Sequence, residues 1–455
     1  MRTASLLLGL GILSSVAWAS DTSNCHVKAA DFAGWKAHDL FNRWVHVIIV
    51  PKLGGRVMQV RFGDHDYLFV NPKYEGQYIP PAEAAKTNHW INYGGDKLWP
   101  LPEGANDGAH WPGPISDVLD DGEYAFRIVT EGAVCRVRLE GTVDAATGLQ
   151  YSREISIDGS SPKISFHAEM KNGIDHPIRW SMQSVTQYDT ADAQDRKRYN
   201  HNFWAFAPIN RQSAFIDGYY VRAGLADDPS FTVEGGLFDL HWLYLENEVW
   251  LDSDAGWIGV VDDSSQFGMI EEFHFTRTAE YPGHASVIFY KNGAALELDS
   301  NGMPQMRSGD PDHAPYYMEA ELNSPMVALR PGESYEFDTC WFPVRASRNL
   351  KSVGVSGTVE SVLSASIENG QLQLSGQFGV FFAGTLSAHL FDQHGAERTV
   401  ALRQVDPLQL LHLTETIAVT SRPVRVDLHV EDADGKDLGT LASSELASAG
   451  KGMRD

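Results

Sequence analysis

The chain has 455 residues, with 60 acidic against 36 basic side chains and a formal charge of −24. Hydrophobic residues make up 43% and charged residues 21%, a balance that supports a buried core and excludes disordered and collagen-like chains. No cluster of Lys and Arg offers itself to phosphates, so nucleic acid is not an expected partner.

The first 19 residues have the pattern of a cleavable secretory leader. Arg2 supplies a positive start, Leu6 to Leu13 an apolar run too short to span a bilayer, and Ala17-Trp18-Ala19 a small-x-small cleavage site. A buried N-terminal helix is the alternative, but Ser, Asp and Thr follow at once. No later stretch is apolar enough over a spanning length, so the expected mature protein is soluble and periplasmic or secreted.

Beyond the leader, strand signals dominate. Val45–Val50, Arg56–Phe62 and Val134–Leu139 are β-branched or alternating runs bounded by Gly, Pro or Asp. Similar runs recur at Lys163–Met170, Gly256–Val261, Ser286–Tyr290 and Glu336–Trp341. Arg56, just after Gly54-Gly55, fits either a cleft residue or an ordinary surface cation.

The segment from Thr87 to Glu103 is the densest in polar and ring-bearing side chains. Gly94-Gly95 would let the backbone approach a ligand closely. His89, Asn92, Lys97 and Trp99 offer a ring face and hydrogen-bonding groups, a mixture suited to a sugar. The plainer alternative is a loop whose Trp99 and Pro100 cap the core.

Farther on, Trp180 to Gln187 places Gln183, Val185 and Gln187 on a common strand face. Glu271-Glu272-Phe273-His274 puts Glu272 and His274 on one face, where a structural role is the alternative. Tyr316 to Pro325 sets Glu319, Glu321 and Asn323 on one face and Met318, Ala320 and Leu322 on the other. Side chains two apart on a strand lie roughly 6–7 Å apart. Two carboxylates that close oppose joint ionisation, so one can keep its proton and serve as an acid. A solvated strand face in an acidic protein is the alternative.

After Arg345 the texture changes. Ala346 to Val355 is a small, polar link, and no Trp follows it. Gln371–Gly376, Leu386–Phe391 and Val424–Val430 are short alternating strands with turns such as Asp434-Gly435. They predict an immunoglobulin-like sandwich over 356–445, ending in a frayed tail from Leu446 to Asp455. The predicted fold is therefore all-β: a large antiparallel sandwich over 27–346 followed by a small one. Cys25, Cys135 and Cys340 allow at most one bridge, with buried structural thiols as the expectation. Metalloprotease, phosphate-loop, nucleophile-elbow and dinucleotide signatures are all missing, and no cofactor or metal is expected.

Three stretches resemble the aldose 1-epimerase, or galactose mutarotase-like, superfamily over about 27–346, with an uncharacterised bacterial branch the nearest in pattern. Pro51 to Val57 with Asp66 to Asn71 resembles an opening hairpin. Asn92 to Pro100 resembles the Gly-Gly…Trp-Pro loop at a sugar cleft. Pro325 to Tyr335, with Leu329-Arg330-Pro331-Gly332-Glu333, resembles the closing strand pair, just after Glu319 and Glu321, where the family keeps a catalytic base. The resemblance implies a β-supersandwich with a concave carbohydrate site and a His–Glu acid–base pair. The position expected for the His falls near Gln183 or Ser184, neither of which is a good acid.

These residues predict a carbohydrate-active protein. Glu319, Glu321 and His274 are the candidate catalytic groups. Arg56, His89, Asn92, Lys97, Trp99, Gln183, Gln187 and Glu272 are the candidate sugar-binding groups. A non-catalytic periplasmic glycan-binding protein is the second expectation. Everything depends on the Glu319–Glu321 face and Trp99 meeting in one hollow.

Overall fold

A computed structural model describes residues 24–87, 90–104, 109–114, 118–294, 296–298, 304–306 and 316–446. The expected leader lies outside these residues.

Two antiparallel sheets build the larger part of the molecule. One has twelve strands, the other ten. At the middle of the first, Arg56–Phe62, Asp96–Leu101, Ile178–Asp189, Tyr317–Asn323, Val287–Lys291 and Asn247–Leu251 lie side by side. At the middle of the second are Trp257–Asp262, Phe267–Phe273, Ser334–Arg345, Ile164–Asn172 and Leu149–Asp158. Period-two alternation explains the layering. Met318, Ala320 and Leu322 turn inward with Val287, Phe289, Val249 and Leu251, and Ile155, Phe166 and Trp341 meet them from the other sheet. Each such buried aliphatic or aromatic side chain contributes about 1.5–3 kcal/mol.

Polar groups also bridge the two sheets. Arg153 pairs with Asp96, which also accepts hydrogen bonds from Thr186 (3.1 Å) and Ser184 (3.4 Å). Tyr188 and Trp341 donate to the carboxylate of Glu271 at 2.6 and 3.0 Å. Burial pushes the Glu271 carboxyl up to about 8.

Asp96–Leu101 is a central strand and not a loop. The paired glycines before it serve the protein's own backbone. At Gly94 (φ 96°) an added Cβ would stand 2.1 Å from the Phe69 carbonyl oxygen, and at Gly95 (φ 73°) 2.5 Å from that of Val57. The expected close approach to a ligand is therefore replaced by close approach to neighbouring chain.

From Ser352 onward the chain forms two four-stranded sheets. Gly357–Glu368, Gln371–Val380 and Leu411–Ala418 share one; Gly384–Phe391, Glu397–Val405, Arg425–Glu431 and Asp437–Glu445 share the other. That arrangement is an immunoglobulin-type sandwich with its fourth long strand in the sheet of the third. It has its own core around Leu372, Phe378, Leu386, Val426 and Leu428. The expected link at 346–355 is more ordered than its composition suggests. Ala346 and Leu350 are buried, and Ser352–Gly354 is a strand paired with Gly357–Glu368. Phe381 stacks on Phe342 at 4.4 Å between ring centres, fastening the small sandwich to the outer face of the ten-stranded sheet. Leu446, expected in a frayed tail, is buried and donates its amide to Val424 at 2.8 Å; residues 447–455 lie outside the described ones.

The cysteines depart from the expectation of buried thiols. Cys25 and Cys135 form a disulfide across 110 residues, and Cys340 alone is free.

Candidate functional site

The outer face of the twelve-stranded sheet carries the polar half of the same alternation. Across it, directly paired residues form three rows. Glu248, Tyr290, Glu319 and Gln187 make the first. Trp250, Ile288, Glu321, Val185 and Lys97 make the second. Asn323, Gln183 and Trp99 make the third. Residues facing one another across antiparallel strands share a side, so five separate strands deliver these groups to one surface.

Over these rows lies a cleft of about 530 Å³, lined by Trp90, Trp99, Glu103, Gln183, Arg222, Glu248, Trp250, Tyr290, Tyr317, Glu319 and Glu321, with Leu, Ile, Pro and Gly between them. That size is usual for small-molecule sites, about 300–1,000 Å³. Trp99 and the Glu319–Glu321 pair thus share one hollow.

The two central glutamates are 5% and 6% exposed and are held differently. Glu319 Oε1 accepts from Lys97 Nζ at 3.0 Å and from Gln187 Nε2 at 2.7 Å. Gln183 donates to Glu321 Oε2. Among the described residues, none donates a hydrogen bond to Glu319 Oε2 or Glu321 Oε1. Burial, reinforced by the charges of Glu319 and Glu248, pushes the Glu321 carboxyl well above the usual carboxylate range; Lys97 opposes this only in part. Glu103 and Glu248 are raised in the same direction, burial first, with Arg222 opposing in both. Burial lowers the Lys97 ammonium, and the Glu319 charge works against that shift. The arrangement places a carboxyl whose burial favours its protonated form, Glu321, two residues from an ion-paired carboxylate, Glu319. Such a pair can give a proton to one oxygen of a ligand while receiving one from another.

The aromatic wall is fixed by one buried carboxylate. Asp120, in the short helix Val118–Asp121, accepts from Trp99 Nε1 at 2.7 Å and Trp90 Nε1 at 2.9 Å. Its third donor is Arg56 Nη2, at 2.6 Å. Lys97 Nζ lies 4.5 Å from the centre of the Trp99 ring and 5.3 Å from that of Trp90.

The expected site residues therefore separate into groups. Glu319, Glu321, Gln183 and Trp99 line the cleft, while Gln187 and Lys97 stand behind Glu319. Arg56 is fully buried beneath the wall, bonded to Asp120 and to the Gly94 carbonyl at 3.1 Å, so it is neither a cleft group nor a surface cation. Asn92 accepts from the Gly94 amide through Oδ1 and from Asn71 through its carbonyl, and its side chain hydrogen-bonds to Tyr317 of the cleft lining, so it supports the wall without itself lining the cleft. Ser184 faces inward to Asp96. His89 lies outside the described residues. Glu272 belongs to the other sheet and His274 follows the end of its strand; both face a groove between the large and small sandwiches with Trp257, Asp338 and Phe382. They are removed from the cleft because the Phe267–Phe273 strand belongs to the ten-stranded sheet, whereas the cleft lies on the outer face of the twelve-stranded one.

Sequence reasoning missed Glu248, Trp250, Tyr290, Arg222 and Asp120. The alternation of Glu248 and Trp250 on Asn247–Leu251 was a usable signal. Asp120 had none, because its two tryptophans are 21 and 30 residues away. Among the described residues, no group of three or more His, Cys, Asp or Glu is arranged to hold a metal ion, and no helix is long and apolar enough to cross a membrane.

No protein-family model and no curated protein matches the chain. Many of the solved structures it is similar to are galactose mutarotase-like or aldose 1-epimerase proteins. A galactose mutarotase-like protein from Clostridium acetobutylicum is 11% identical, with 71% of this chain and 99% of that one covered and a TM-score of 0.44. One from Lactobacillus casei is 10% identical, with 68% and 99% covered and a TM-score of 0.41. A TPR-domain protein from Parabacteroides distasonis is 15% identical at a TM-score of 0.44; 68% of this chain is covered, and the chain spans 47% of that protein's length.

Proposed function

We propose that this chain is an exported carbohydrate-active protein that moves protons on a sugar bound in the Trp99–Glu321 cleft. The observation that carries this reading is the glutamate pair itself. Burial pushes the Glu321 carboxyl well above the usual carboxylate range, Glu319 is ion-paired to Lys97, and none of the described residues donates to the second oxygen of either, in a cleft walled by indole rings. In the proposed reaction Glu321 protonates a sugar oxygen while Glu319 draws a proton from a hydroxyl, with Trp99 and Trp90 packing on the ring's C–H face. Epimerisation, hydrolysis and elimination all use such a pair. Export is supported by the leader pattern and by the Cys25–Cys135 disulfide, which suits an oxidising compartment. We assign the acid–base unit to residues 27–346 and an accessory role to the sandwich at 356–445.

A second reading, a glycan-binding protein without turnover, is favoured by one observation: Gln183 and Ser184 stand where an acidic His was expected, and no His is among the described residues that line the cleft. One screen separates the two. The purified protein is mixed with mono- and oligosaccharides and followed by NMR for anomeric exchange and cleavage, and by calorimetry for binding. Exchange or new reducing ends support the enzyme; binding with no spectral change supports the second reading; no interaction with any sugar removes both.

A further inference from the structure

The cleft holds more negative charge than proton transfer at Glu319 and Glu321 uses. Glu103 and Glu248 also face it, and neither makes an ion pair with another of the described residues. Glu248 accepts only the indole N–H of Trp250, at 2.5 Å. Among the described residues of the lining the one cation is Arg222, whose side chain is exposed at the rim and lies 6.0 Å from the centre of the Trp250 ring. Lys97 balances Glu319 and the Glu321 carboxyl is raised, so Glu103 and Glu248 are the surplus facing the rim guanidinium, a lining that disfavours a uronic acid or a sugar phosphate.

A cation is the natural complement. Two strand spacings, about 10 Å, separate Glu248 from Glu319 across Tyr290, which is within the reach of one sugar ring bearing a charged substituent. Independently of the rim charges, Glu319 Oε2 and Glu321 Oε1 have no donor among the described residues, although both side chains are more than nine-tenths buried. Trp250, Tyr290 and Tyr317 supply ring faces that also favour a cation. Since no three of these carboxylates converge as metal ligands, an organic ammonium fits better than a bare ion.

We propose that the ligand of this cleft is an amino sugar bound as its ammonium form, with Glu248 and Glu103 receiving the ammonium group and the indole wall receiving the ring. This deepens the reading of the cleft as a sugar site and rests on it. The charge-assisted hydrogen bonds would favour the amino sugar over its neutral parent by about tenfold or more.

The test is calorimetric titration of the full chain with glucosamine and galactosamine, their N-acetyl forms, glucose and galactose, and glucuronate, at low and high salt. The expected result is an affinity order of amino sugar, then neutral sugar, then uronate. The preference should shrink in high salt, vanish on N-acetylation, and fall towards one in E248Q and in E103Q. Equal affinity for charged and neutral sugars, tighter uronate binding, a preference unchanged in both variants, or binding that requires added Ca²⁺ would overturn the amino-sugar assignment while leaving the sugar cleft in place. Binding of no sugar at all would overturn the cleft reading with it.

Discussion

The interior between the two large sheets and the cleft on the outer face of the twelve-stranded one both bury glutamates, and they satisfy them differently. Glu271, in the interior, has Tyr188 on one oxygen and Trp341 on the other. Glu321, in the cleft, has Gln183 on one oxygen and open space before the other. Burial raises both carboxyls. A raised acid is therefore not by itself a sign of chemistry; what separates the two is an oxygen left free and reachable by a ligand.

The comparison can be broken at several points. The largest effect is expected at Asp120, a structural carboxylate holding Arg56, Trp90 and Trp99 together. Asp120→Ala leaves a buried guanidinium unpaired and should cost about 3–5 kcal/mol in denaturant unfolding. It should also weaken sugar binding, because both indoles lose their anchor. Next, Phe381→Ala removes the ring stacked on Phe342 and should cost about 3 kcal/mol. Sugar affinity should hold, since that contact lies on the far sheet. Equal loss of affinity would tie the small sandwich to the cleft.

The pH dependence of stability sharpens the contrast further. Glu271 holds its proton in the folded chain up to about 8 but, once unfolded, only to its ordinary value of 4.5. Between those values the folded state binds the extra proton, so this group's contribution to stability falls as pH rises through that window. Glu271→Gln should flatten that part of a melting-temperature profile. An unchanged profile would show that the interior carboxyl is not raised. The smallest effect is expected at Glu272 and His274: Glu272→Gln and His274→Ala should change sugar affinity by less than about twofold, because both face the groove on the opposite sheet.

Much of this was legible in the chain, and the limits are physical. Val45–Val50 and Arg56–Phe62 occur as strands with the bounds their β-branched alternation implied. Alternation also placed Glu319, Glu321, Gln183 and Gln187 on their strand faces, since a strand's side-chain period is two. Period two says nothing about which sheet a strand joins. Glu272 and His274 face one groove, but His274 lies past the end of the Phe267–Phe273 strand, and that strand belongs to the sheet away from the cleft. Glu248 meets Glu319 only because the Val287–Lys291 strand comes between their strands, a pairing set by long-range packing. Asp96–Leu101 was hidden by its glycines and prolines, which usually mark loops. Its neighbours on both sides supply the pairing that overrides that tendency.

The most direct test of the central claim is the turnover of a bound sugar by wild type, Glu319→Gln and Glu321→Gln, followed by NMR alongside calorimetric binding. Proton transfer by this pair predicts that each variant still folds and binds but loses turnover by about a hundredfold or more. Turnover at the wild-type rate in both variants would contradict it.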